Sequence, residues 1–521
     1  NPAEMIGILP KPLAKTFYAE IITNKIWALS RKNLGYKDLS KYKLMEDFAD
    51  HPYINTNLSF YSFLPKKISH KISKKIVNFW IDDLVKNNYK HDKIEFEICE
   101  TCFNFSTDKK LKKLRSVLSK SEINIYRDEL FNLTKKILEN NISIIQKSND
   151  NLKTLEFYRD QFKRKKNKNS LDVLNLIKNI KKFGTLNFAN MARIAFISES
   201  FLRSFVTERI FTVKRLNNFK NSISTILTHF VNDTNKLIDK EISWKEFCKI
   251  YGHLRSGTYD IQSERYDKST YFNVNKLKFN KISKNKKQFR FKKKEIDLID
   301  LHLKKSKINL SALSLIDIVM KNIAFREYCK FIFTKSVSDI LEFISMKGKI
   351  FHINKDNISF LKLHEIKLFD HLKNKKKIQE KIAMNKKKYV FNKLIQLPYL
   401  ITKKTDFSIV PLLKGVPNYI TSKKITAECM LIRNKQENKL SSLKNKIILI
   451  ESADPGYDWV FLYGIAGLIT KYGGSNSHMS IRCSEMNIPA VIGCGEQLFK
   501  NLACANLIEI DCNLSQTKVI N

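Results

Sequence analysis

The chain has 521 residues, 43% of them hydrophobic, with 94 basic and 51 acidic side chains and a formal charge of +43. This composition excludes a disordered chain, and the length gives room for several domains with real cores. No apolar run is long enough for a transmembrane helix, and nine cysteines in a chain this long fit a reducing cytoplasm.

The basic excess raises the question of a nucleic-acid partner. Only 15 of the 94 basic residues are arginine, and base readout favours arginine. The lysines accompany abundant Asn and Ile, a bias that spreads over any surface. Residues 421–521 hold 11 basic and 9 acidic residues, so the excess lies upstream. A solvated lysine surface is the expectation, with a nucleic-acid partner disfavoured. Anionic substrates such as ATP would still benefit from the field.

Residues 1–105 are rich in Pro and Tyr and read as a mixed α/β region. Ile94, Phe96 and Ile98 alternate with Glu95 and Glu97, which predicts a strand. Cys99 and Cys102 would then face opposite sides, as packing residues rather than a disulfide. Residues 106–400 read as a large, mainly helical domain. Leu130, Leu133, Ile137 and Leu138 recur at helical spacing, as do Ile223, Ile226, Leu227 and Phe230. Lysine-rich pieces at 163–168, 284–294 and 374–388 are expected on exposed loops or helix faces. Phe183-Gly184-Thr185-Leu186 is a candidate turn. A dense polar stretch runs from Tyr251 to Tyr266. In it, His253, Arg255, Asp260 and Glu264 cluster around Gly252 and Gly257, either as a site or as a polar loop between helices.

Residues 401–420, with Pro411, Gly415 and Pro417, read as a connector and hinge. Short strands are then expected at 446–451, 467–470, 490–492, 507–511 and 517–520. With the helices between them they make a compact α/β domain over 421–521.

That last domain holds the most telling run, Thr470-Lys-Tyr-Gly473-Gly474-Ser-Asn-Ser477-His478-Met-Ser-Ile-Arg482, followed by Ile488-Pro489-Ala490-Val491-Ile-Gly493. Ser477 stands where a helix N-cap is expected, and Asn487 with Pro489 ends the helix. Met479, Cys483 and Met486 fall on one face and should pack inward. His478 and Arg482 fall on another, one turn apart, and are expected to be accessible. A helix start disfavours imidazolium and offers N–H groups to phosphoryl oxygens. Arg482 could add a charged fork, and Ser477 or Thr470 a hydroxyl. Gly473 and Gly474 let a ligand approach the backbone. Phosphoryl transfer needs mainly positioning and charge stabilisation. A zinc site of Cys483, Cys494, Cys504 and Cys512 lacks the close cysteine pairs that zinc sites use, so no metal ligands are expected.

These residues resemble the phosphohistidine mobile domain of the phosphoenolpyruvate-utilising enzymes, which include phosphoenolpyruvate synthase and rifampin phosphotransferase. The chain departs from the pattern at Cys483-Ser484, where Ala-Arg is common. Pro52-Tyr53-Ile54 and Ser59–Pro65 resemble the segment that follows the ATP-grasp domain in some bacterial relatives. Tyr251–Tyr266 resembles the Gly-His-Arg-Gly-Pro segment of the rifampin phosphotransferase-type substrate domain, with Leu254 interrupting it and Glu264 in place of the proline.

The resemblance implies that His478 is the carrier, stabilised by Thr470, Gly473, Gly474, Ser477 and Arg482. It would take a phosphoryl group from ATP, bound with Mg²⁺ on an ATP-grasp domain in cis or trans, expected upstream of this chain. It would pass the group to a small-molecule acceptor near His253, Arg255, Asp260 and Glu264. A truncated phosphoenolpyruvate synthase and a non-catalytic binding protein are the alternatives.

Overall fold

The computed structural model describes residues 2–268, 289–407, 416–432, 443–475 and 477–520. A large helical part comes first, and a compact α/β domain follows. The helical periodicities produce the expected elements. Helix Lys120–Glu139 opens on a capping box of Ser119 and Glu122 and buries Leu130, Leu133, Ile137 and Leu138. Helix Ile226–Ile238 buries Leu227 and Phe230, with Ile223 buried just ahead of it.

The axis of the helical part is the 39-residue helix Ala312–Ile350. Its stretch from Cys329 to Thr334 and from Ser336 to Phe343 is buried on nearly every side, with Phe331, Ile332, Phe333, Val337, Ile340 and Leu341 in the core. It packs along helix Leu186–Thr207, where Asn322 donates to the Ser198 hydroxyl at 3.2 Å. Near its middle come Arg326, Glu327 and Lys330, of which Glu327 and Lys330 are buried.

The α/β domain is built on a seven-stranded sheet. Its strands are β3 (Asn418–Ile420), β4 (Lys424–Leu431), β5 (Ile447–Ser452), β6 (Gly467–Tyr472), β7 (Ala490–Ile492), β8 (Leu507–Asp511) and β9 (Gln516–Val519). Their order is β3-β7-β6-β5-β4-β8-β9. The run β4-β5-β6-β7 is parallel, and β3, β8 and β9 pair antiparallel at the flanks. Ile447–Ile450 is fully buried, as a strand covered on both faces must be. Alternate residues of β5 serve two cores. Ile447 and Leu449 join a core with Phe499 and Leu502 inside the domain. Ile448 and Ile450 join Met479 and Cys483 in a core continuous with the helical part. The sheet face that carries His478 is therefore the one that docks on the helices.

Several sequence expectations are corrected. Residues 94–97 form a helical turn, not a strand. The Lys93 carbonyl accepts from Phe96 and Glu97, and Cys99 N–H donates to the Ile94 carbonyl at 2.9 Å. The alternation has a different cause: Ile98 is buried while Phe96 packs on Phe196. Cys99 and Cys102 are both buried free thiols. Phe183–Leu186 is not a turn. It continues a wide helical segment, Ile180–Thr185, into helix Leu186–Thr207. Gly184 is there because a Cβ would come 2.9 Å from Leu155 Cδ2 and Phe333 Cβ. The hairpin β1 (Met45–Phe48) and β2 (His51–Ile54), with β3 and β4, escaped sequence reading. Of the connector, Pro411 and Gly415 lie outside the described residues, as do 284–288 of the second lysine-rich piece. Pro417 stands directly before β3.

Among the described residues, no helix is long and apolar enough to cross a membrane.

Candidate active site

The glycine pair is built for close backbone packing. Gly473 has φ +139°, and a Cβ there would meet Ala453 Cβ at 2.6 Å. Gly474 abuts Asp92 of the helical part, whose carboxylate also accepts from Asn418 Nδ2 at 3.0 Å. Thr470 is fully buried, and its hydroxyl accepts from Gly493 N–H at 3.0 Å. It fixes the turn opposite Gly473 and makes no hydrogen bond to His478 among the described residues.

Ser477 is the N-cap of helix His478–Glu485 and accepts from Ser480 N–H at 3.3 Å. Asn487, with φ +54°, takes the chain out of the helix. Met479 and Cys483 are fully buried, as their spacing required. His478 and Arg482 share the other face, but the expectation of access is wrong. His478 is 8% exposed and Arg482 1% exposed, because the helical part covers that face.

The cover brings charge with it. His478 Nε2 lies 2.9 and 3.0 Å from the two Asp458 carboxylate oxygens, and Nδ1 lies 3.4 Å from Glu327 Oε2. Arg482 Nε donates toward His478 Nε2 at 3.0 Å, and Arg482 Nη1 reaches Glu485 at 2.9 Å and the Thr225 hydroxyl at 3.3 Å. Asp458 comes from the 3₁₀ segment Pro455–Tyr463 between β5 and β6, and Glu327 from the long helix. Burial alone would raise the Glu327 carboxyl. Arg326, His478 and Arg482 outweigh burial and hold it well below the usual carboxylate range. Burial pulls down the Lys330 ammonium, against the attraction of Glu327 and Asp454. Lys330 makes no hydrogen bond or direct ion pair among the described residues.

The polar stretch 251–266 lies against the same segment. A Cβ added at Gly456 would fall on the Arg255 carbonyl oxygen and Ser256 Cα, and Tyr266 hydroxyl donates to the Gly456 carbonyl at 3.0 Å. Asp454 is 2% exposed, and burial lifts its carboxyl to about 7 against N–H groups from Gly456 and Thr258 and the charge of Lys330.

Between the two parts lies a cavity of about 50 Å³. Its apolar wall includes Leu227, Phe230, Leu254 and Phe331, and His253, Glu327, Lys330 and His478 supply its polar end.

Of the four acceptor-site candidates, His253 and Arg255 line this cavity, and Asp260 and Glu264 do not. His253 is 5% exposed and held neutral by burial, with Lys335, Arg159 and Arg265 adding to the effect. The Phe331 carbonyl engages its ring, and its Nε2 has no hydrogen-bond partner among the described residues. Arg255 ties its loop to the long helix. It donates to the Ser338 hydroxyl at 3.0 Å, the Ser263 carbonyl at 2.6 Å and Glu342 at 2.5 Å. Asp260 caps the same loop, accepting from Gln262 N–H at 3.0 Å, and burial raises its carboxyl.

Sequence reading missed Asp458, Glu327 and Lys330. Asp454-Pro-Gly-Tyr-Asp458 after a buried strand, and three charges spaced over one turn of an apolar helix, were the available signals.

Residues 443–514 match the model of the PEP-utilising enzyme mobile domain. The match lies within the C-terminal α/β domain. The matched span runs from the residues before β5 to the turn after β8 and contains the glycine pair, His478 and Asp458. A mobile domain of this kind implies phosphotransferase chemistry in a general sense. No curated protein matches the chain.

Proposed function

We infer that His478 of the mobile domain carries a phosphoryl group and delivers it to a small-molecule acceptor bound in the cavity against the helical part. One observation supports this above the others. The histidine at the mobile domain's helix start lies beside a pocket whose far wall offers a neutral, unpartnered His253 nitrogen. An acceptor hydroxyl seated there would lose its proton to His253 Nε2 as its oxygen attacks phosphorus.

The N–H groups at the helix start, Arg482 and Lys330 supply the positive side of the transfer site. Arg482 stays charged, since Asp458, Glu485 and Glu327 outweigh the burial that would lower it. Lys330, with no ion pair to break, is free to take phosphoryl oxygens. Arg255 holds the acceptor loop in place. The apolar wall excludes water, which would otherwise compete with the acceptor. The pocket favours an acceptor that presents a hydroxyl from an apolar body.

The donor is ATP, bound with Mg²⁺ on an ATP-grasp domain in cis or trans. One histidine serving two distant stations requires the mobile domain to swing, with the connector ahead of β3 as its hinge. The account is tested by incubating the protein with its ATP-binding domain and labelled ATP. Acid-labile, base-stable label should appear and should be absent from His478→Ala. Label that persists in that variant would refute the carrier role.

A further inference from the structure

We propose that Glu327 holds the Nδ1 proton of His478 and thereby makes release of the phosphoryl group conditional on docking, a role that rests on the carrier function of His478. The partners of Nε2 decide where the ring proton sits. That nitrogen faces both the Asp458 carboxylate and the Arg482 Nε–H. It can donate to the first or accept from the second, but not both at once. A nitrogen that bonds to phosphorus must present its lone pair, and Arg482 beside it favours that state. The ring proton then sits on Nδ1, which faces Glu327.

The carboxylates near the ring differ in what carries them. Asp458 and Arg482 belong to the mobile domain and travel with His478 to every station. Glu327 belongs to the long helix and meets the ring only when the two parts are docked. The other charged groups facing the ring are Glu4, Asp454, Asp458, Lys330 and Arg482, with Arg326 behind Glu327. Glu327 alone among them lies against Nδ1.

The transfer step shows why this matters. The Nε2–P bond breaks and its electron pair returns to Nε2. The acceptor O–P bond forms, and the acceptor's proton passes to His253 Nε2. If Nδ1 keeps its proton, the leaving group is neutral imidazole. If Nδ1 has lost it, the leaving group is an imidazolide anion, a far poorer one. Glu327 gains and loses no proton overall; its negative charge keeps the Nδ1 proton in place. In transit the ring lacks Glu327, and the phosphoryl group is kept from water.

The test uses the full chain, labelled with ¹⁵N-histidine and loaded chemically with phosphoramidate. The Nδ1 titration of phospho-His478 is followed by NMR, and loss of phosphoryl to water by ³¹P signal. An opposite charge at this range moves a titration by about one to three pH units. Glu327→Gln should therefore lower the Nδ1 midpoint by at least about one unit and slow phosphoryl loss at mildly alkaline pH by about tenfold. Gly456→Val, which blocks docking without touching Glu327, should give the same shift, and the double variant no more. A midpoint in Glu327→Gln equal to wild type, with His478 loaded, would overturn the Glu327 role and leave the carrier reading intact. Failure of phosphoramidate to load His478 in the wild type would overturn both.

Discussion

Gly456→Val should undock the mobile domain while leaving its fold intact. A Cβ at this position would land on the backbone of Arg255 and Ser256. That backbone cannot retreat cheaply, because Arg255 is pinned by Ser338, Ser263 and Glu342. Overpacking of this kind costs about 1–3 kcal/mol. Separation also breaks the buried Tyr266–Gly456 hydrogen bond, at about 1 kcal/mol net. The overpacking alone therefore weakens the docking constant by about 5- to 150-fold.

The assay is a distance distribution between spin labels at Ile142→Cys and Leu514→Cys, with the exposed Cys504 replaced by serine. Both label sites are well exposed, one on the helical part and one on the mobile domain. Wild type should show a dominant docked distance, and Gly456→Val a second, broader population that outweighs it. An unchanged distribution in the variant would refute the idea that this glycine sets the docking contact.

Asp454→Asn should remove a pH dependence from docking. The carboxyl titrates at about 7 when buried against the helical part and returns toward its ordinary value of 3.8 when released. Docking therefore binds a proton, is favoured below the ordinary value, and weakens as pH rises to about 7, by up to about 4 kcal/mol. The same label distances across pH should lose this trend in the variant; a wild type that docks equally at all pH values would contradict it. His253→Ala should permit loading of His478 and abolish discharge to the acceptor, read as retained label; discharge at the wild-type rate would place the base elsewhere. Thr470→Val should leave the partly buried Gly493 N–H without its acceptor and cost about 1–3 kcal/mol of mobile-domain stability, read by denaturant titration. A Thr470→Val variant as stable as wild type, with phosphoryl loading lost, would return Thr470 to the transfer site.

The sequence made the mobile domain readable because its signals are local. Gly473, Ser477 and Asn487 each force a backbone conformation, and the buried run Ile447–Ile450 declares a covered strand. The strands read at 446–451, 467–470, 490–492, 507–511 and 517–520 correspond to β5–β9 within two residues at each end. What failed was everything set by packing over distance. His478 and Arg482 looked accessible because helix periodicity shows one helix's faces, not what covers them. Glu327 lies 151 positions before His478, and only the docked fold joins them. Ile94, Phe96 and Ile98 alternate as a strand would, but among the described residues no strand pairs with them, and local hydrogen bonds close a turn instead. Asp458 escaped notice because its role depends on the 3₁₀ path after Gly456.

The central claim is that His478 is the phosphoryl carrier, and the most direct measurement is to map phosphohistidine on the protein as cells make it. Protein purified cold under alkaline conditions is digested, and its ten histidines are examined by mass spectrometry. Phosphate on His478 alone, discharged on adding the acceptor, is the expected result. Phosphate on another histidine, or on none while the protein is active, would contradict it.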